Sequence, residues 1–255
     1  MTDEGSAEGV RAGRHGRHGH QGRVVEHPVS SDRGLAELAE AWIADPDRVD
    51  GPLRTAATVM LVRDGSGGPE VYVQRRVPSM AFAPSTVVFP GGGVDPADHE
   101  IDRGTPGLPE LAAAMGVTAE VAAPFAAAAV REVEEEAGVR LEVADLRGRA
   151  HWVTPAFEPR RYDTWILAAA MPVGQEARET STESDRSGWV RAADLLARHA
   201  AGEVRMLPPT VVSLRELEAF DRADAFLADR PRVARVLPEL VRRDDGTLVL
   251  RTVLP

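Results

Sequence analysis

Apolar residues along this chain switch repeatedly between helical and strand spacing, with no regular repeat. Leu35, Leu38, Ala39 and Trp42 stand at i, i+3, i+4 and i+7, which predicts a short amphipathic helix over 34–45. From Thr55 the pattern becomes strand-like. Ala57 to Val62 is a compact apolar run, Asp64-Gly65-Ser66-Gly67-Gly68 is turn chemistry, and Val71 to Val73 continues as a hairpin partner. Thr86 to Phe89 reads as a strand leading into Gly91-Gly92-Gly93. Phe125, Val130, Val133 and Ala137 form an apolar stripe that predicts a helix from about Pro124 to Ala137, stopped by Gly138. Strands are expected near 139–143, 150–154 and 162–170, helices over 191–201 and 210–228 with Thr210 as N-cap after Pro208-Pro209, and a last strand over 247–253.

Interleaved strands and helices without a βαβ repeat favour an α/β fold with a mixed sheet between helices. The expected organisation is a disordered tail over 1–33, a short helical extension over 34–52, and one domain over 53–255. That domain carries an insertion over about 99–123 and C-terminal helices over about 191–230. The tail is rich in Gly, Arg and His. Its His15, His18 and His20 are read as a polar segment before they are read as a metal site.

Composition narrows the chemistry. The 255 residues contain no cysteine, lysine or asparagine, which removes disulfides, thiolate nucleophiles, Schiff bases and a lysine P-loop. Arginine is the only strong base. A net charge of −10 argues against a nucleic-acid partner, and the absence of any apolar run long enough to cross a bilayer argues against a membrane span. The expectation is a soluble, cytoplasmic protein, compatible with a homodimer.

The densest charge lies in Arg131-Glu132-Val133-Glu134-Glu135-Glu136-Ala137-Gly138-Val139. On a helix Glu132, Glu135 and Glu136 share one face and repel. Two explanations stand level on this segment alone: a solvated acidic face, or a site for an oxygen-seeking divalent cation.

Gly92, Asp98 and the run from Arg131 to Val139 together resemble the Nudix box, G-x5-E-x7-R-E-U-x-E-E-x-G-U with U apolar. Asp98 stands at the first acidic position, where the family has Glu, and the whole of 99–130 lies between it and Arg131, where the family pattern has only x7. Phe82-Ala83-Pro84, Val87 to Gly92, Thr154-Pro155, Arg160 to Thr164 and Leu207 to Thr210 are similar to a long-insert subgroup that includes a peroxisomal coenzyme A diphosphatase. In the coenzyme A signature a second arginine and a glycine follow, and Met80 and Ser85 lie close to those places.

The resemblance implies a Nudix-type α/β/α sandwich with N- and C-terminal helical extensions. It implies Mg²⁺- or Mn²⁺-dependent hydrolysis of the diphosphate of a nucleoside diphosphate linked to another moiety, with coenzyme A or acyl-coenzyme A among the candidates. Metal ligands are expected at Glu132, Glu135, Glu136 and the Gly92 carbonyl, with Arg131 orienting a glutamate. Catalytic residues are expected at Arg131, Glu132, Glu135 and Glu183, the last as a further ligand or base six residues before Trp189. Asp98 is expected in a supporting role, and Glu134 points off the shared face. Arg75, Arg76, Arg160 and Arg161 are the candidate phosphate contacts. Trp152, Tyr162 and Trp165 are candidate stacking residues, or core. The rival is a nucleotide-sensing Nudix module that binds without cleaving.

Overall fold

The apolar run Ala57–Val62 sits at the centre of the molecule because both faces of its strand are covered: Val59, Met60, Leu61 and Val62 are all fully buried. The computed structural model describes residues 23–29, 33–45, 47–80, 83–180 and 184–255. His15, His18, His20 and Glu183 lie outside them. The order is β1 (Arg23–Pro28), α1 (Arg33–Ala44), β2 (Leu53–Gly65), β3 (Gly68–Arg76), β4 (Thr86–Val88), β5 (Gly91–Gly93), α2 (Leu108–Met115), α3 (Ala119–Ala137), β6 (Arg147–Val153) and β7 (Arg161–Ala170). It continues through β8 (Ser184–Arg191), α4 (Ala192–Ala200), β9 (Arg205–Met206), α5 (Pro208–Glu218), α6 (Ala223–Ala228), β10 (Arg235–Val236), β11 (Glu239–Arg242) and β12 (Leu248–Leu254).

The main sheet is mixed, in the order β10-β6-β7-β2-β3-β4-β9, with β5 also pairing β2 and β8 also pairing β3. Residue parity on its strands separates two cores. Val59, Leu61, Trp165 and Leu167 face α2 and α3. Met60, Val62, Ile166 and Ala168 face α4, α5 and α6. This is the expected sandwich with a mixed sheet. A second, three-stranded antiparallel sheet, β1-β12-β11, packs with α1 around Val29, Ala39, Phe157 and Leu248.

Several boundaries differ from the sequence reading. Arg23–Pro28, assigned there to a disordered tail, form β1 and pair with β12 along their whole length. The pairing partner, Val249 to Leu254, lies at the opposite end of the chain, so no local pattern announces it. The helix expected from Pro124 starts at Ala119, and Pro124 lies inside it. Its missing N–H removes one i→i−4 backbone bond in the second turn of the helix. Residues 139–143 are not a strand. Val139, Leu141 and Val143 are buried in alternation, but a side-chain amide replaces the neighbouring strand. Gln175 Oε1 accepts from the Arg140 N–H at 2.8 Å, and Gln175 Nε2 donates to the Arg140 carbonyl at 2.8 Å.

Thr210 is not the N-cap. Leu207 is, Pro208 and Pro209 occupy the first turn, and Thr210 is buried behind them. The long helix expected over 210–228 is broken into α5 and α6. Among the described residues no single helix is long and apolar enough to cross a membrane.

Candidate active site

The acidic cluster occupies the last turns of α3, whose buried Ala122, Phe125, Ala126, Ala129, Val133 and Ala137 fix its rotation against the sheet. That rotation leaves Glu132 and Glu135 over β5. A helix C-terminus carries partial negative charge, and the last turn of α3 contains Glu134, Glu135 and Glu136 with no basic residue. The chain therefore places three carboxylates where the backbone disfavours anions. The terminal carbonyls are met by the segment after β7: Arg178 N–H to Ala137 O at 3.0 Å, Thr180 N–H to Glu136 O at 3.3 Å, and Thr180 Oγ1 to Glu135 O at 2.6 Å.

Arg131 is the organising cation. Its Nη1 donates to Glu132 Oε1 at 2.8 Å and to Glu135 Oε2 at 3.1 Å. Its Nη2 donates to Asp98 Oδ2 and to the Gly93 carbonyl, each at 2.9 Å, and its Nε to Asp98 Oδ1 at 3.2 Å. Asp98 is buried, receives the Asp95 N–H at 2.8 Å, and is the main reason the Arg131 guanidinium is held well above its ordinary pKa, with Glu132 adding to the effect. A planar fork meets these acceptors on two sides, which lysine's point charge does not do.

Glu136 points differently. It is buried, and its Oε2 accepts from Gln74 Nε2 at 2.5 Å and from the Gly91 N–H at 2.8 Å. Gln74, on β3, is a positioning group that the sequence reading missed, since nothing local distinguishes it from any strand glutamine. Glu134 lies off the cluster and pairs with Arg140 at 2.8 Å.

Two glycines of β5 have reasons to be glycine. Gly91 has φ +154°, and a Cβ there would meet the Ala57 carbonyl oxygen at 2.3 Å. A Cβ on Gly92 would lie 2.2 Å from Glu132 Oε1. The bare main chain is what lets this carboxylate lie against the strand. β5 itself is held by the β2 register Ala56↔Gly93, Ala57↔Gly92 and Thr58↔Gly91, and by Thr58 Oγ1 donating to the Pro90 carbonyl at 2.8 Å.

Gly92, Glu132, Glu135 and Glu136 line one cleft of about 980 Å³, with Arg131, Arg76 and Thr180. The donor set is oxygen only, beside a strand that a side chain cannot cover, and this chemistry fits a hard divalent cation. Among the described residues no three acidic or imidazole groups converge on one point, because Arg131 draws Glu132 and Glu135 while Gln74 and Gly91 draw Glu136.

The four candidate phosphate contacts separate. Arg76 lines the cleft. Arg75 does not; its Nε donates to Asp185 Oδ1 of β8 at 2.8 Å. Arg161 is buried and bound to Asp50 Oδ2 at 2.7 Å, so it ties β7 to the segment before β2 rather than facing a ligand. Arg160 is exposed and outside the cleft lining. Of the aromatics, Trp152 and Tyr162 line the cleft, whereas Trp165 is core, stacked on His151 at 4.2 Å. Glu183 immediately precedes β8, outside the described residues.

Residues 111–209 match the NUDIX domain family model, a span that includes the acidic cluster. A Nudix hydrolase from Alicyclobacillus acidocaldarius is 25% identical, superposes with a TM-score of 0.61, and the match covers 71% of this chain and 98% of that one. A C. elegans Ap4A hydrolase (20% identity, TM-score 0.40, 66% and 97% coverage) and a mutator MutT protein from Bacillus halodurans (12% identity, TM-score 0.44, 77% and 94% coverage) are more distant. Comparison with curated proteins gives no match. Nudix hydrolases generally use divalent metal ions. Residues 111–209 are similar to the NUDIX domain and the fold is similar to that of the Alicyclobacillus Nudix hydrolase, which supports a hydrolase acting on phosphoanhydride bonds.

Proposed function

We propose that this chain hydrolyses the diphosphate bond of a nucleoside diphosphate linked to a second moiety, with Mg²⁺ or Mn²⁺ held by Glu132, Glu135, Glu136 and the Gly92 carbonyl. The observation that carries this reading is that Glu132, Glu135 and Glu136 share the wall of a large cleft, the last two of them in the final turn of α3, where the helix end itself disfavours anions. A divalent cation bound there supplies charge neutralisation and a lower pKa for bound water.

The chain's own groups have separate tasks. Arg131, anchored by Asp98 and the Gly93 carbonyl, holds Glu132 and Glu135 toward the strand. Gln74 and the Gly91 N–H fix the rotamer of Glu136. Arg76 is the candidate phosphate contact. Glu183 keeps its proposed role as a further ligand or base. Coenzyme A and its acyl derivatives belong in the substrate panel with ADP-ribose, NADH, dinucleoside polyphosphates and nucleotide sugars.

The pairing of Glu132 and Glu135 with Arg131 also suits a second reading, a module that binds a nucleotide and does not cleave it. Screening the purified protein against that panel with each metal separates them. Metal-dependent release of two phosphorylated fragments, abolished by a chelator, is the expected result; binding without products supports the module. Repeating the cleavage in ¹⁸O-labelled water identifies the phosphorus attacked.

A further inference from the structure

The cleft has two chemically different ends, and strand register measures the distance between them. Gly93 of β5 lies opposite Ala56 of β2, Ala56 beside Thr164 of β7, and Thr164 opposite Trp152 of β6. All four line the cleft, so its floor crosses four neighbouring strands in one row. Three spacings of about 4.8 Å make the row about 14 Å long. Tyr162 is two residues from Thr164 on β7, on the same face and diagonal to Trp152.

Positive charge is confined to the glycine end. Among the described residues lining the cleft, the cations are Arg76 and Arg131. Arg131 binds the Gly93 carbonyl, and Arg76 lies on β3, which like β5 pairs with the edge of β2 opposite β7. Pro238 lies two residues beyond Val236, the β10 partner of Trp152, Leu250 of β12 pairs with Leu240 just after it, and these two line the cleft with Leu35 of α1 and with Glu158 from the segment after β6. Leu35 and Leu250 also pack on the core shared by α1 and the three-stranded sheet. Among the described residues lining this end, a second phosphorylated arm would meet a carboxylate and no cation. An uncharged carbon skeleton would meet proline, leucine and aromatic surface.

We infer that the Trp152 end is a subsite for an uncharged, apolar organic group carried on the diphosphate, and that α1 and β12 act as its specificity wall. The inference rests on the diphosphatase reading for the identity of the charged end, and its test does not require turnover. Ethyl, butyl and octyl diphosphates are titrated into the full chain by calorimetry in the presence of Mg²⁺. Each buried methylene is worth up to about four-fold in affinity, so octyl diphosphate is expected to bind at least about 30-fold more tightly than ethyl diphosphate. Leu35→Ser and Leu250→Ser are expected to reduce that ratio three-fold or more, while Val173→Ser, on exposed surface, leaves it unchanged. Thermal unfolding checks that the variants fold, and Leu35→Ala and Leu250→Ala replace any that do not. Affinity independent of chain length, a ratio unaltered in both wall variants, or no binding of any member overturns the subsite. The diphosphatase reading is judged separately by product release in the substrate screen.

Discussion

Arg131 Nη2 and Asp98 Oδ2 lie 2.9 Å apart although 33 positions separate the two residues in the chain. The pair joins the end of the glycine segment to the acidic helix, and Asp98 is buried while Arg131 is about one-quarter exposed. Asp98→Asn keeps the shape and removes the charge. It is expected to cost about 1.5–3 kcal/mol in thermal or urea unfolding, the range for a hydrogen bond to a charged group. Activity in the metal-dependent assay is expected to fall by about 10–100-fold, since carboxylate ligands lose their positioning. Arg131→Lys, which cannot form the fork, is expected to lose at least as much activity. Full activity in both variants would remove this pair from the site.

Glu134 and Glu135 are neighbours with opposite expectations. Glu135 faces the cleft and Arg131; Glu134 faces Arg140 on the exposed side. Glu135→Gln is expected to reduce turnover by at least about 100-fold and to weaken Mn²⁺ binding measured by electron paramagnetic resonance. Glu134→Gln is expected to change stability by less than about 0.5 kcal/mol and to leave turnover within about two-fold. Equal effects from the two changes would point to bulk charge and not to a site.

Gly91→Ala and Gly92→Ala separate backbone strain from site geometry. At Gly91 a Cβ meets main chain, the Ala57 carbonyl, at a backbone angle that side chains rarely adopt. A loss of about 2–3 kcal/mol in unfolding free energy is expected. At Gly92 the Cβ meets the end of the Glu132 side chain, which can swing away. That variant is expected to stay folded, within about 1 kcal/mol of the parent, and to lose metal affinity. Parallel melting curves and Mn²⁺ titrations check both.

Acid is expected to loosen β1 before the main sheet. Glu26 of β1 accepts from Arg243 Nε at 2.9 Å and Arg251 Nε at 2.8 Å, and these partners, Arg243 first, hold its carboxyl below the ordinary value of 4.5. Because the folded pKa is depressed, the contribution is fully present above about 4.5 and is lost as pH falls through the folded value. The protection factors of the β1 amides, with exchange corrected for its intrinsic dependence on pH, are expected to drop as the pH falls below about 4.5 in a series from pH 6 to pH 3. The amides of β2 are expected to stay protected. Glu26→Gln should remove the pH dependence.

The parts of the site that were legible in the sequence are those encoded locally. The face shared by Glu132, Glu135 and Glu136 follows from helical period, and the glycine strand from three consecutive glycines. What was not legible depends on partners brought in by the fold. Gln74 is an ordinary strand residue until β3 sets it against Glu136. Arg161 looks like a phosphate ligand until Asp50 takes it. β8 has few apolar positions, yet it pairs with β3 over nearly the whole of that strand, and the register sets Trp189 edge-on to Tyr72 at 5.6 Å. The false strand at 139–143 had the right alternation and the wrong partner, since Gln175 supplies by side chain what a neighbouring strand supplies by main chain.

The Asp98–Arg131 contact also closes a loop, and that gives the segment between the two residues a different meaning. Lengthening a flexible loop from about 7 to about 32 residues raises the entropic cost of closure by only about 1.3 kcal/mol. α2 lies within that loop and buries Leu108, Leu111 and Met115 against the α3 side of the sheet, a gain larger than the closure cost. A long excursion between the two halves of the site is therefore thermodynamically cheap once it brings its own apolar face. Chain length at this point is free to drift, and what must be kept is the pair of residues at which the excursion begins and ends.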